Sequence, residues 1–198
     1  MNETWPEIKN RKMKERRGEI FDWVQSLVSA LLICVIVFTF LVRVVNVSGS
    51  SMLDTLHNND KILVSGLFYT PRRGDVVVLR KETFSDEPIV KRIIATEGQT
   101  VRIDFEAGIV YVDDEALDEP YTFTPTNRRI DFEDDTVVPD GCLFVMGDNR
   151  NGSTDSRDIR IGCVDQRLVM GKALFLLIPG SDKAHGDPFD ITRIGVIR

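Results

Sequence analysis

Ile89-Val90-Lys91-Arg92-Ile93-Ile94-Ala95-Thr96, closed at once by Glu97-Gly98, is a β-rich run ended by a turn signal. Runs of the same kind lie on both sides of it, at Lys61 to Leu67, Asp75 to Arg80, Thr100 to Phe105, Ile109 to Val112, Cys142 to Met146 and Arg167 to Ile178. Pro71-Arg72-Arg73-Gly74, Ala107-Gly108, Pro139-Asp140-Gly141 and Pro179-Gly180 punctuate them. No helical pattern of about 10 to 15 residues alternates with these strands, which disfavours a parallel α/β sheet. The expected fold is mainly β, a coiled antiparallel and barrel-like sheet. The polar stretches Asp113 to Glu119 and Phe123 to Asp135 read as its solvated connections. No repeat or low-complexity tract interrupts this pattern.

Ahead of the strands, Val24 to Val42 is a run of 19 residues without a charge. At 1.5 Å per residue it matches the roughly 30 Å hydrocarbon core of a bilayer. The basic cluster Lys9, Arg11, Lys12, Lys14, Arg16 and Arg17 precedes it, which by positive-inside logic leaves the N-terminus cytoplasmic and sends the rest outward. The expected organisation is a basic segment over 1–18, a transmembrane anchor helix over 19–44 and an extracytoplasmic domain over 45–198. A cleaved leader is the rival reading, but the run exceeds the usual 7 to 15 residues of such a region, and Arg43-Val44-Val45-Asn46 offers no small-x-small exit. A buried soluble helix fits the basic flank less well. Net charge is −6, and since residues 1–18 carry +3, the remainder carries −9. An acidic body of this kind argues against nucleic-acid binding.

Ser51, nine positions past the apolar run, is a candidate nucleophile in Gly49-Ser50-Ser51-Met52. A serine needs a base to take its proton. Of the two histidines, His57 lies in a polar turn and His185 in a Gly/Pro/Asp-rich stretch, and both read as solvated. Lys91 is the better base. By strand alternation it shares a face with Ile89, Ile93 and Ala95, where desolvation lowers an amine's pKa toward neutrality. The competing reading has Lys91 snorkelling from a sheet rim.

Four boxes in order carry a family resemblance across most of the chain after the anchor. They are Gly49 to Leu56, Gly74-Asp75-Val76-Val77-Val78, Val90-Lys91-Arg92-Ile93-Ile94, and Gly147 to Arg157 continued by Gly162-Cys163-Val164 and Gly171-Lys172-Ala173. Together they resemble bacterial type I signal peptidases, membrane-bound Ser-Lys serine endopeptidases that trim signal peptides from exported preproteins after a small-x-small motif. The resemblance implies Ser51 as nucleophile and Lys91 as general base. It implies Ser153 as the hydroxyl that aims the amine, Asp155 and Arg157 as an ion pair bracing the loop, and Asp148 as a supporting carboxylate. Val45, Val47, Met52, Leu56, Ile89 and Val90 match the walls of shallow subsites, though each is equally readable as core. Partners implied are signal peptides, the lipid bilayer and nearby export machinery, with no nucleic acid. Leu67-Phe68-Tyr69 matches a region that rests on the membrane surface, or else is sheet core.

Two departures stand out. Asp54 replaces the family's usual proline, and a carboxylate near Lys91 would push the amine's pKa back up. Gly49 replaces a serine that serves as an oxyanion donor in some members, which leaves the Ser51 N–H with more of that task, helped by Ser48 or Ser50. Cys34 reads as a small apolar anchor residue, while Cys142 and Cys163 flank the last box, where a disulfide would tie its base. No cofactor is expected. No Cys/His spacing suggests a metal, and Asp148 to Asp155 is a poor calcium loop, with Arg150 at the third ligand position. Two other functions stay open: a self-cleaving Ser-Lys protease of the repressor type, and a membrane-tethered binding module with an inactive site.

Overall fold

The computed structural model describes residues 5–40, 42–81, 84–85, 87–133, 135–181 and 189–198, with side chains from residue 19 onward except 37–40. His185 and the side chains of the N-terminal basic cluster lie outside this description. The chain divides into two units, one holding the helix α1 (Trp5–Phe40) and the other running from Val42 to the end. Within α1, Glu19–Ile36 has a mean hydropathy of 1.8 and no buried residue, so it is long and apolar enough to cross a membrane. Apolar side chains such as Phe21, Trp23, Leu27, Leu31 and Ile33 stand exposed all round it, unlike the single stripe of a helix that packs on a soluble core.

The second unit is a pair of antiparallel sheets. The strands are β1 (Arg43–Asn46), β2 (Lys61–Ser65), β3 (Val76–Leu79), β4 (Ile89–Thr96), β5 (Thr100–Asp104), β6 (Ile109–Val112), β7 (Glu115–Ala116), β8 (Thr136–Val137), β9 (Cys142–Met146), β10 (Val164–Asp165), β11 (Val169–Ile178) and β12 (Gly195–Val196). Eight form one sheet in the order β1-β2-β11-β3-β4-β9-β10, with β12 added on β11, and four form the other as β7-β6-β5-β8. Irregularities in β11 at Val169/Gly171, Ala173/Phe175 and Leu176/Ile178, and in β4 at Ile93/Ala95, curl the large sheet. The mainly β, coiled antiparallel fold read from the sequence is the one observed.

Burial explains why the strands were legible. Val76 and Val78 enter one apolar cluster while Val77 and Leu79 enter another, so both faces of β3 are covered and the run is continuously apolar. A third cluster fills the space between the sheets, with Phe132 edge-on to Phe105 and Phe144 at 6.0 and 5.9 Å. Two expectations need correction. Arg43 and Val44 belong to β1 rather than to the helix, because they pair with Val64 and Leu63. The segment Phe123 to Asp135 is not merely solvated: Thr126 and Phe132 are buried, and Glu115–Ala116 within the other connection forms a strand.

Candidate active site

Ser51 follows β1 on a loop that turns through Gly49 at φ +88°, where a side chain would be strained, and Gly49 N–H donates to Asn58 Oδ1 at 2.9 Å. That backbone requirement favours glycine over serine at this position. Ser48 and Ser50 are exposed, and Ser51 partly so. The turn after Ser51 is held by backbone bonds, Leu53 N–H to Ser50 O at 3.3 Å and Leu56 N–H to Met52 O at 2.8 Å, where a proline would otherwise stiffen it. From the Gly147 to Arg157 loop, Asn149 N–H donates to Ser51 O and its Nδ2 to Ser50 O, both at 3.1 Å.

Lys91 arrives from β4, paired across to Val77. Its Nζ lies 2.7 Å from Ser51 Oγ and donates to Val90 O at 3.0 Å, and the side chain is almost wholly enclosed at 4% exposure. Burial pulls the amine down to about 8, against Asp155 and then Asp148, which oppose it. The snorkelling reading fails on that burial. The suspected influence of Asp54 also needs correction. Asp54 is exposed, where water screens a charge, and the carboxylates acting on the amine are Asp155 and Asp148.

A layer of buried charge lies beneath this pair. Asp148 accepts from Arg92 Nε and Nη2 at 2.8 and 2.7 Å and from Thr55 Oγ1 at 2.5 Å. Asp155 accepts from Arg157 Nε and Nη2 at 2.8 and 2.9 Å and from Gly147 N–H at 3.1 Å. Arg157 in turn donates to the carbonyls of Arg128 and Arg150, which draws two loops onto one guanidinium. Gly147 is a close-approach glycine, since a Cβ there would collide with Ser153 Oγ and the Ser51 carbonyl. Ser153 is fully buried, and its Oγ has no hydrogen-bond partner among the described residues, so the aiming bond to Lys91 is not formed in this arrangement.

Four further residues of this corner had no role assigned from sequence. Arg92 stacks over Tyr121 at 3.8 Å, and Tyr121 donates to Glu119, which also receives Arg150 at 2.8 and 2.5 Å. Burial, followed by Glu119, pushes the Tyr121 phenol upward. Only the arginines of the boxes hinted at this network, because Glu119 ends a stretch that reads as a solvated connection and Tyr121, just past it, carries no signal of its own.

Of the six candidate wall residues, Val47, Met52, Leu56 and Val90 are core, each at most 7% exposed, and Val45 packs on the same cluster. Ile89 belongs with a different cluster, and it and Val45 keep partial exposure. Cys142 and Cys163 are free thiols rather than a disulfide, and burial, then its neighbour Cys142, pushes Cys163 up to about 11. Leu67 and Phe68 are exposed, Phe68 at 97%, which removes the core reading for them, while Tyr69 turns inward and donates to Asp75 at 2.7 Å.

The model of the signal peptidase family, peptidase S26, matches residues 20–178. The chain is 34% identical to a probable signal peptidase I-1 of Synechocystis over 168 residues, covering 80% of this chain and 82% of that one. With signal peptidase I S of Bacillus subtilis it shares 32% over 178 residues, covering 83% and 92%. A crystal structure of a signal peptidase I from Enterococcus faecalis aligns at 28% identity and TM-score 0.42, covering 52% of this chain and 97% of that chain. This chain belongs to the signal peptidase family, peptidase S26. It is a serine peptidase, a hydrolase.

Proposed function

We propose that this protein removes signal peptides from exported preproteins, with Ser51 as nucleophile, Lys91 as general base and cleavage after a small-x-small motif. The observation that carries the reading is the 2.7 Å approach of a buried amine, drawn down to about 8, to the hydroxyl of a partly exposed serine. Neutral Lys91 takes the Ser51 proton as Oγ attacks the scissile carbonyl carbon, and the Ser51 N–H faces the developing oxyanion. The carbon–nitrogen bond then breaks, and the Lys91 ammonium returns its proton to the leaving amine. Neutral again, Lys91 deprotonates the water that opens the acyl ester, and the proton passes back to Ser51. Activity therefore rises as pH passes about 8, where the amine becomes free.

Ser153 aims the amine once substrate tightens the site, its free hydroxyl being enclosed beside Gly147. Asp148, Asp155 and Arg157 hold the loop that presents it. Val45 and Ile89 bound the subsites above the closed floor of Val47, Met52, Leu56 and Val90, and a rigid floor refuses bulky side chains. The helix α1 anchors the protein in the bilayer with the N-terminus cytoplasmic and the domain from 45 onward outside, and exposed Leu67 and Phe68 rest on the lipid surface near the export machinery.

The test is full-length protein in detergent mixed with an exported precursor. Cleavage after a small-x-small motif, abolished in both Ser51→Ala and Lys91→Ala, is the expected result. Cleavage of itself alone would favour the repressor type, and cleavage that survives in Lys91→Ala would remove the lysine from the mechanism.

A further inference from the structure

Residues 179–198 lie beyond the family match, yet Gly180 and the described residues from 189 onward are bound to the segment that carries Ser51. Arg193 closes the 3-10 turn Ile191–Arg193, which Asp190 caps. Its Nη1 and Nη2 donate to Asp60 at 3.1 and 2.6 Å, across 133 positions of sequence. The Asp60 side chain is fully buried and also accepts from His57 N–H at 2.8 Å and Gly180 N–H at 2.7 Å. A carboxylate so far from water depends on its counter-charge.

From Asp60 the connections run directly to the nucleophile loop. Asp60 O accepts from Val47 N–H and Val47 O from Asn59 N–H, both at 2.8 Å, while Asn58 Oδ1 holds Gly49, two positions before Ser51. Gly180 sits hard against this turn, since a Cβ there would run into Asn58 O and Asp60 N. Past Arg193, β12 pairs with β11, and Ile197 enters the same apolar cluster as Val47, Met52 and Leu56.

We propose that Arg193 is a positioning residue for the Ser51 reaction and its side-chain selectivity, acting through Asp60 on the turn His57 to Asp60 and so on the loop Val47 to Ser51. This rests on the reading that Ser51 cleaves after small-x-small motifs. Without the guanidinium, Asp60 is left as a buried charge without its counter-ion, and the turn that carries it shifts to let water reach the carboxylate. The loop relaxes, Ser51 drifts from Lys91, and the wall around Val47 yields to larger side chains. A misplacement of about 1 Å costs on the order of 100-fold in rate.

The experiment compares full-length wild type, Arg193→Ala, Arg193→Lys and Asp60→Asn in detergent on two precursor peptides that differ only by Ala or Val at the residue before the cut. Arg193→Ala is expected to lower kcat/KM for the Ala peptide roughly 10- to 100-fold. The Ala-to-Val preference should fall at least about threefold, because the relaxed wall no longer refuses the extra methyls. Arg193→Lys should recover part of both, and a protein carrying Arg193→Ala together with Asp60→Asn should be little worse than either single variant, as expected of two members of one pair. Partial unfolding removes active molecules equally for both peptides, so the preference ratio is blind to stability. An unchanged ratio in Arg193→Ala, with or without a lower melting temperature, overturns the proposal. Failure of the underlying reading looks different, since the wild type would then cleave neither peptide or Ser51→Ala would cleave both.

Discussion

The large and the small sheet solve the burial of charge in opposite ways. Around β4, β9 and the Gly147 to Arg157 loop, Lys91, Arg92, Asp148, Arg150, Asp155 and Arg157 are all at most 4% exposed. In the strands of the four-stranded sheet, the buried residues are Val101, Ile103, Val110 and Val112, and the ion pair Arg102–Asp114 stands in solvent at 38% and 93% side-chain exposure. Buried ion pairs return little net stability, because desolvation offsets their attraction. Their concentration at one corner is better understood as placement. They hold a loop and an amine where apolar packing alone would leave rotational freedom, while the small sheet supplies ordinary core.

The comparison breaks most sharply at Asp155. Asp155→Ala leaves Arg157 buried without its partner and should cost roughly 3–5 kcal/mol in urea unfolding; a loss below about 1 kcal/mol would put this pair on a par with surface ones. Next comes Lys91→Met, which removes a penalised charge. The amine's pKa is lower folded, about 8, than its ordinary 10.5, so the penalty is full below pH 8, fades between the two values and is gone above 10.5. The variant should be inactive yet more stable by about 3 kcal/mol at pH 6 to 7, with the gain vanishing in alkaline unfolding curves. A destabilised variant at pH 6 would mean that the fold favours the ammonium instead of penalising it.

In the small sheet, Ile103→Val should lose about 0.5–1.5 kcal/mol and leave the pH profile of cleavage unmoved, since only methylene contacts change. Arg102→Ala should be smallest, about 1 kcal/mol or less, even with its stacking over Tyr111 at 3.9 Å. If its effect equals that of Asp155→Ala, exposure does not separate the two regions.

How much could be read in advance follows the same division. Strands β3, β4, β9 and β11 were legible because apolar residues alternate or run continuously where sheet faces are covered. Lys91 was conspicuous as the one charge on the face it shares with Ile89, Ile93 and Ala95. The stretch Phe123 to Asp135 was misjudged because its burial rests on Thr126 and Phe132 amid polar neighbours, a pattern too sparse to show a period. The pairings Arg150 with Glu119 and Arg193 with Asp60 join residues 31 and 133 positions apart, and no local signal marks a partner at that distance.

The order of residues alone thus determined the kinds of element, the apolar helix ahead of a β domain, and the boxes that carry Ser51 and Lys91, because side-chain chemistry and short-range periodicity are local properties. Only the tertiary structure decided that the amine is dry and 2.7 Å from the hydroxyl, that Cys142 and Cys163 stay apart as thiols, and that Arg193 pairs with the buried Asp60. Burial and long-range pairing arise from how strands from the whole chain stack, and desolvation acts on a group only once that stacking has closed over it.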